Sequence, residues 1–191
     1  MAELEFPKPA LVDDVVLLRA WQAHDVPANV MGFADPRVQH FSWPSTKAYS
    51  ELDARAFYVS QERARRRGEE LNFAFVEPLD ADAVLGGGSL YAIDLEQRRA
   101  AVGYWLAPHA RGRGVATHAL WLMSRWAFDG LGVERLELTC SPDNERSQRV
   151  AARCGFVREG VLRSHMVFKG ARRDTVMFSL LPGELHRGAA G

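Results

Sequence analysis

A chain of 191 residues can build one domain with a sizeable core and is short for two of ordinary size. It is 47% apolar and 25% charged, and 24 Lys+Arg face 24 Asp+Glu, so no bulk field draws it to nucleic acid or to a membrane surface. Two cysteines, Cys140 and Cys154, stand in no metal-ligand spacing and imply no disulfide framework. The opening MAELEFPKPALVDD lacks a basic-then-apolar leader, and no apolar run approaches roughly 18 residues, so a cytoplasmic setting is expected.

Residues 1–12, with Pro7 and Pro9, are expected to form a flexible, irregular lead-in to a single domain over 1–191. DDVVLLRAW (13–21) is β-branched and apolar, a strand. HDVPANVMGFADP (24–36) carries a helix-start signature before Pro27 and stops at Asp35-Pro36. A second helix is predicted within 44–70, with Ser45 or Thr46 as cap and Tyr49, Leu52, Ala56 and Val59 at helical spacing. Arg63 and Arg65–Arg67 at its end are flanked by Glu62, Glu69 and Glu70 and read as a solvated face.

Three short runs, 72–78, 83–93 and 100–106, separated by turns, predict an antiparallel meander, with Gly86–Gly88 read as a bulge or bend. Val115, Ala119, Leu122, Met123 and Trp126 then repeat at helical spacing, in a helix ending near Gly130 or Gly132. A strand over 133–140, a loop into a short helix ending at Gly155, and a hairpin split at Lys169–Ala171 complete the chain, with a frayed tail from about 183. The order β-α-α-β-β-β-α-β-α-β-β predicts an α/β chain around one mixed sheet.

Between the strand ending at Leu106 and the helix beginning near Val115 lies HARGRGV. The first amides of a helix lack intrahelical partners and carry partial positive charge, so they form a natural anion site. Glycine permits positive φ and close approach there, and arginine adds charge beside the amides. A plain turn remains the alternative. The P-loop pattern GxxxxGK[ST] is absent, and a dinucleotide GxGxxG would need glycine where Thr117 stands.

Arg111-Gly112-Arg113-Gly114-Val115-Ala116 matches the coenzyme A signature [RQ]-x-x-G-x-[GA] of the GNAT N-acyltransferase superfamily. VGYWLAPHARGRGVATHAL, DNERSQRVAARCGFVREGVLR (143–163) and FKGARRDTVMFSLL resemble the Rim-type branch, which holds ribosomal-protein N-terminal acetyltransferases. The strong resemblance covers about residues 100–182, with a weaker one at the start. It implies an α/β (α+β) fold with a mixed, mostly antiparallel sheet of about seven strands, flanked by helices and split by a splayed central parallel pair.

The resemblance also implies the chemistry. The amides of Arg111, Gly112, Arg113, Gly114, Val115 and Ala116 would cradle the pyrophosphate of acetyl-CoA or another acyl-CoA. Tyr104, Trp105, Leu106 and Ala107 would run beside its arm, and the Leu106 amide would polarise the thioester carbonyl, a role worth roughly 2.7–4 kcal/mol of barrier. Asn144 would bond the cofactor arm or simply cap its helix. Ser147, otherwise a surface serine, would give a proton to the departing thiolate. Phe41, Trp43, Tyr91 and Trp105 would line an acceptor pocket or cover the core.

Where many relatives carry glutamates, this chain has Ala101–Val102 and His118, so the resemblance names no base; His118, His165, Glu77 and a water chain are the candidates. The expected reaction transfers an acyl group to a primary amine, with a protein N-terminus the favoured acceptor and no metal. An antibiotic or polyamine acceptor and a non-catalytic acyl-CoA sensor are the alternatives. No nucleic-acid or membrane partner is implied, and the resemblance leaves monomer and homodimer both open.

Overall fold

The computed structural model describes residues 3–187. Eight strands form one sheet, ordered β1-β2-β3-β4-β5-β6-β8-β7. They are β1 (Leu11–Val12), β2 (Leu17–Ala20), β3 (Leu71–Glu77), β4 (Asp80–Asp94), β5 (Arg99–Leu106), β6 (Arg135–Cys140), β7 (Val157–Phe168) and β8 (Ala171–Leu180). Every neighbouring pair is antiparallel except β5 with β6. The eighth strand arises inside the lead-in expected to be irregular, where Leu11 pairs with Leu18.

That lead-in is packed from Leu4 onward. Leu4 is buried, Phe6 meets Phe73 edge-on at 5.6 Å, and the Leu4 carbonyl accepts from the Arg65 guanidinium at 2.6 Å. The tail is likewise docked as far as Arg187: Leu185 packs on the core and the His186 amide reaches the Cys154 carbonyl. The rest of the expected free tail, 188–191, lies outside the described residues.

Five helices cover the sheet: α1 (Val26–Ala34), α2 (Pro36–Phe41), α3 (Glu51–Arg66), α4 (Val115–Asp129) and α5 (Glu145–Arg153). Asp35-Pro36, read from the sequence as a stop, does end α1, and the same pair also starts α2. Asp35 caps it by accepting from the Arg37 and Val38 amides, and Pro36 takes the first turn, where no amide is needed. The cap of α3 is Ser50 rather than Ser45 or Thr46, through a reciprocal box with Asp53. Tyr49 therefore lies outside that helix, and Leu52 and Val59 are exposed; Ala54 and Ala64 supply the buried face.

The stripe on α4 behaves as its periodicity predicts. Val115, Ala119, Leu122 and Met123 are buried, and Trp126 packs edge-on against Phe73 at 6.2 Å. Alternation along the strands assigns the two faces of the sheet. A Cβ on Gly88 would meet Met123 of α4, whereas one on Gly87 would meet Trp21 on the opposite face. Thus α4 sits behind Phe73, Phe75 and Leu90, while α1 to α3 cover the other side. The expected irregularity near Gly86 is a register shift: Phe75 pairs with Gly86 but Val76 with Val84, leaving Leu85 as the extra residue.

The central feature is a parted pair of strands. β5 and β6 pair only through Arg99–Arg135, Ala100–Leu136 and Ala101–Glu137, and both then continue unpaired to Leu106 and Cys140. A wedge opens in the middle of the sheet. No helix among the described residues is long and apolar enough to cross a membrane.

Candidate active site

Two cavities meet at the wedge. The first, about 600 Å³, is lined by Tyr104–Leu106, the 111–118 loop and helix start, and Asn144, Ser147 and Val150 of α5. The second, about 670 Å³, lies among α1, α3 and the sheet, and includes Phe33, Trp43, Tyr49, Tyr91 and Phe168. Phe41, Ser42, Tyr104, Trp105, Asn144 and Ser147 border both. The parted strands thus join a cleft on the α4 side to a pocket on the other.

The cleft is built around the start of α4. Gly112 and Gly114 sit at φ +76° and +81°, and Gly114 is the N-cap. No side chain caps this helix, and its first internal bond runs from His118 N to Gly114 O, so the amides of Val115, Ala116 and Thr117 lack intrahelical acceptors. A Cβ on Gly112 would meet nothing, so φ, rather than crowding by the protein, requires glycine there.

The two arginines of the loop do not face the cleft as free charges. Arg111 forks onto Asp35 at 2.5 and 3.3 Å and bonds the Leu106 carbonyl at 3.0 Å. Arg113 is tied to Glu77 at 2.7 Å. The charge expected beside the amides is therefore internally compensated, because each arginine is held by a carboxylate from another part of the fold. Three arginines that sequence reasoning did not single out, Arg37, Arg146 and Arg153, line the cleft. None of the three has an ion-pair partner among the described residues. Arg146 and Arg153 are seven apart on α5, about two turns, a spacing that could have marked them.

Along β5 the backbone alternates between its two neighbours. The Ala107 amide donates to the Leu85 carbonyl at 2.9 Å, so Ala107 is committed to β4 and lines neither cavity. The antiparallel alternation then turns the Leu106 amide to the opposite edge, into the wedge that β6 has left. Arg111 binding the Leu106 carbonyl on that same edge holds the residue in this orientation.

Across the wedge, Ser147 Oγ lies 3.1 Å from the Tyr104 hydroxyl, and the Ser147 amide donates to Asn144 Oδ1 at 3.3 Å. Asn144 is thus the cap of α5 and also borders both cavities. Cys140 lies beside Ser147, and burial pushes its thiol up to about 11, which leaves it protonated and a poor nucleophile.

The second cavity has an aromatic wall and a polar floor. Trp105 stacks on Trp21 at 6.3 Å and meets Phe33 at 5.0 Å. A Cβ on Gly32 would lie 2.2 Å from the Trp105 ring, so that helix position admits only glycine beside this indole. Phe41, Trp43 and Tyr91, the expected acceptor-side aromatics, all line this cavity. Asn72, Glu70, Asp53 and Arg173 also line it, and the sequence had not pointed to any of them.

The base candidates read from sequence fall elsewhere. His118 lines the first cavity, with Nδ1 2.9 Å from Asp13; His165 bonds Thr175 at 2.8 Å; Glu77 holds Arg113. None of these three lines the second cavity. Glu70 does, and burial raises its carboxyl above the usual carboxylate range.

A parted parallel strand pair beside an open helix start is the frame of the acyl-CoA-dependent N-acyltransferase class. Residues 16–157 match the family model described as an acetyltransferase (GNAT) domain, and the chain belongs to that family. The chain is 29% identical to the ribosomal-protein-serine acetyltransferase of Escherichia coli over 142 residues, 74% of this chain and 76% of that one. It is 27% identical to the uncharacterized N-acetyltransferase YoaA of Bacillus subtilis over 178 residues, 91% and 97% of the two chains. Among solved structures it resembles Mycobacterium smegmatis RimJ in complex with CoA-disulfide, with a TM-score of 0.78 and 26% identity over 91% of this chain and 85% of that one. It is similarly close to RimL, the ribosomal L7/L12 alpha-N-protein acetyltransferase, in complex with coenzyme A, with a TM-score of 0.77 and 25% identity over 89% and 96%.

Proposed function

We propose that this protein transfers the acetyl group of acetyl-CoA to the α-amine of a protein N-terminus. The observation that carries the reading is the wedge itself, where the inward-turned Leu106 amide, Ser147 and both cavities converge. The relatives named for ribosomal-protein and N-terminal acetylation support it, as do RimJ and RimL bound to CoA. The unfilled amides of 115–117 and the unpaired Arg37, Arg146 and Arg153 suit a diphosphate in the cleft. Two free, buried cysteines and no disulfide fit a reducing cytoplasm.

In this reading the acceptor amine enters from the aromatic cavity and attacks the thioester carbonyl carbon. The Leu106 amide donates to the carbonyl oxygen as it gains charge, and the carbon–sulfur bond breaks on collapse. Ser147, bonded to Tyr104, gives a proton to the thiolate, and Glu70 takes the proton lost by the amine, through water. An α-amine of pKa about 7.7–8.0 is neutral at roughly 10% at pH 7, against roughly one part in 2,500 for a lysine near 10.4. An N-terminal acceptor therefore suits a site whose base is modest.

Thiol release from acetyl-CoA against a panel of N-terminal peptides and small amines tests the reading. Peptides should turn over, and Ser147→Ala should lower kcat about 10²-fold, the typical worth of a positioned proton donor, while coenzyme A affinity by calorimetry stays unchanged. Turnover of polyamines or antibiotics alone would refute the N-terminal acceptor. Tight binding of acetyl-CoA with no turnover would make the protein a sensor instead.

A further inference from the structure

The second cavity holds a cation without an ion-pair partner among the described residues. Arg173 enters it from β8, with its guanidinium carbon 3.6 Å above the Phe168 ring. Its Nε is buried and has no acceptor, and its sole hydrogen bond among the described residues is a long one, 3.4 Å from a terminal nitrogen to the Phe41 carbonyl. Stacking on Phe168 covers one face of the guanidinium, and the side chain lines the cavity. A guanidinium so poorly supplied with acceptors costs free energy that an anion in the cavity would offset.

The nearby carboxylates are engaged elsewhere. Asp143, whose field reaches Arg173, is bonded to Ser141 and His40. Asp53 is held in the Ser50 capping box, and Glu70 precedes β3, on the far side of β4 and β5 from β8. Arg173 and Ser147 line the same cavity, and Arg173 lies three residues before Val176, the β8 partner of Cys140. The cavity therefore has a cation on its β8 side and a carboxylate on its β3 side.

We propose that Arg173 selects acceptors that carry a carboxylate close to the reacting amine, as in a peptide with an acidic second residue. The guanidinium fork matches a carboxylate bidentately, with a specificity that an ammonium would not give. This rests on the N-terminal acceptor reading above and narrows it. It also disfavours a polyamine, whose charges would meet Arg173.

Three peptides identical except for Asp, Asn or Lys at the second position decide the matter. For the wild type, kcat/KM should be at least about tenfold higher for Asp than for Asn, or about 1.4 kcal/mol, and lowest for Lys. Arg173→Gln should bring Asp down to Asn, chiefly through KM; Arg173→Lys should keep part of the preference; Arg173→Glu should place Lys above Asp. Equal wild-type values for Asp and Asn, or an equal proportional loss for all three peptides in Arg173→Gln, would overturn the proposal whether or not the variants fold well.

Calorimetric binding of the same peptides to the CoA-loaded protein separates the two readings. Tighter binding of the Asp peptide without turnover would keep the charge selection and remove the acetyl transfer. Turnover without a charge preference would do the reverse, and absence of both would remove both.

Discussion

Arg111 and Arg113 show how one side chain can be recognised by its type and still be misread in its role. Their spacing identifies the loop, yet each is neutralised by a carboxylate more than thirty residues away in sequence, Asp35 or Glu77. Pairing of that kind is a tertiary fact and leaves no local signature. Glu70, by contrast, reads as one acid in a charged helix end until the fold buries it at the cavity wall. Because burial raises its pKa, its contribution to stability is present below the ordinary carboxylate range and is lost as pH rises through the raised value. Glu70→Gln should therefore raise Tm at neutral pH, with the two proteins converging in acid, while kcat falls about 10²-fold if the carboxylate is the base. A thermal scan across pH and a pH–rate profile read both.

At the scale of elements, periodicity was the most legible signal and capping the least. α4 and the closing hairpin lie where their patterns predict, since an apolar stripe and a two-residue Lys169–Gly170 turn encode them locally. The breaks around α2 and α3 were misplaced because Asp-Pro ends one helix and starts the next with the same residues, and because Ser45, Thr46 and Ser50 are all good caps. Asp35 illustrates the consequence. It caps α2 and also clamps Arg111, which turns the carboxyl acidic: the Arg111 guanidinium and the Arg37 and Val38 amides hold it below the usual range. Its contribution is present above the unfolded carboxylate pKa and is lost as pH falls through the lower folded value. Asp35→Ala should cost about 2–3 kcal/mol at neutral pH, the loss of a cap plus a largely buried ion pair. Asp35→Asn should keep the cap and lose only the pair, and both variants should show a weakened acid limb in denaturant titrations against pH.

For the whole molecule, the core and the site pull in opposite directions. Phe73, Phe75, Leu90, Leu120 and Leu136 fill the sheet–helix interior, yet the sheet is parted at its centre, where a closed ladder would be most stable. The wedge leaves the inner edge of β5 unpaired by protein, so a bound acyl-CoA should act as a missing structural part. Acetyl-CoA at 100 times its Kd should add about 2.7 kcal/mol, a rise of about 5–11 °C in Tm for a domain of this size. Hydrogen exchange should slow most at Leu106 and at Val115–Thr117. A thermal shift without protection at those amides would place the ligand elsewhere. The general fold could be read from the sequence because alternation and helical repeats carry it. The wedge could be read only through resemblance, since nothing in RAAVGYWL or RLELTC says where their pairing stops.

The stacked indoles of Trp21 and Trp105, only 9° from parallel, have an optical consequence. Two indoles in near-parallel planes this close perturb each other's transitions, so Trp105→Phe should change the near-ultraviolet circular dichroism by more than the loss of one isolated indole. Of the five tryptophans, Trp21, Trp43 and Trp105 line the second cavity, while Trp121 and Trp126 sit on α4. A peptide entering that cavity should alter the near-ultraviolet circular dichroism and the emission of its three indoles, giving a label-free signal for peptide binding that needs no chemistry to occur.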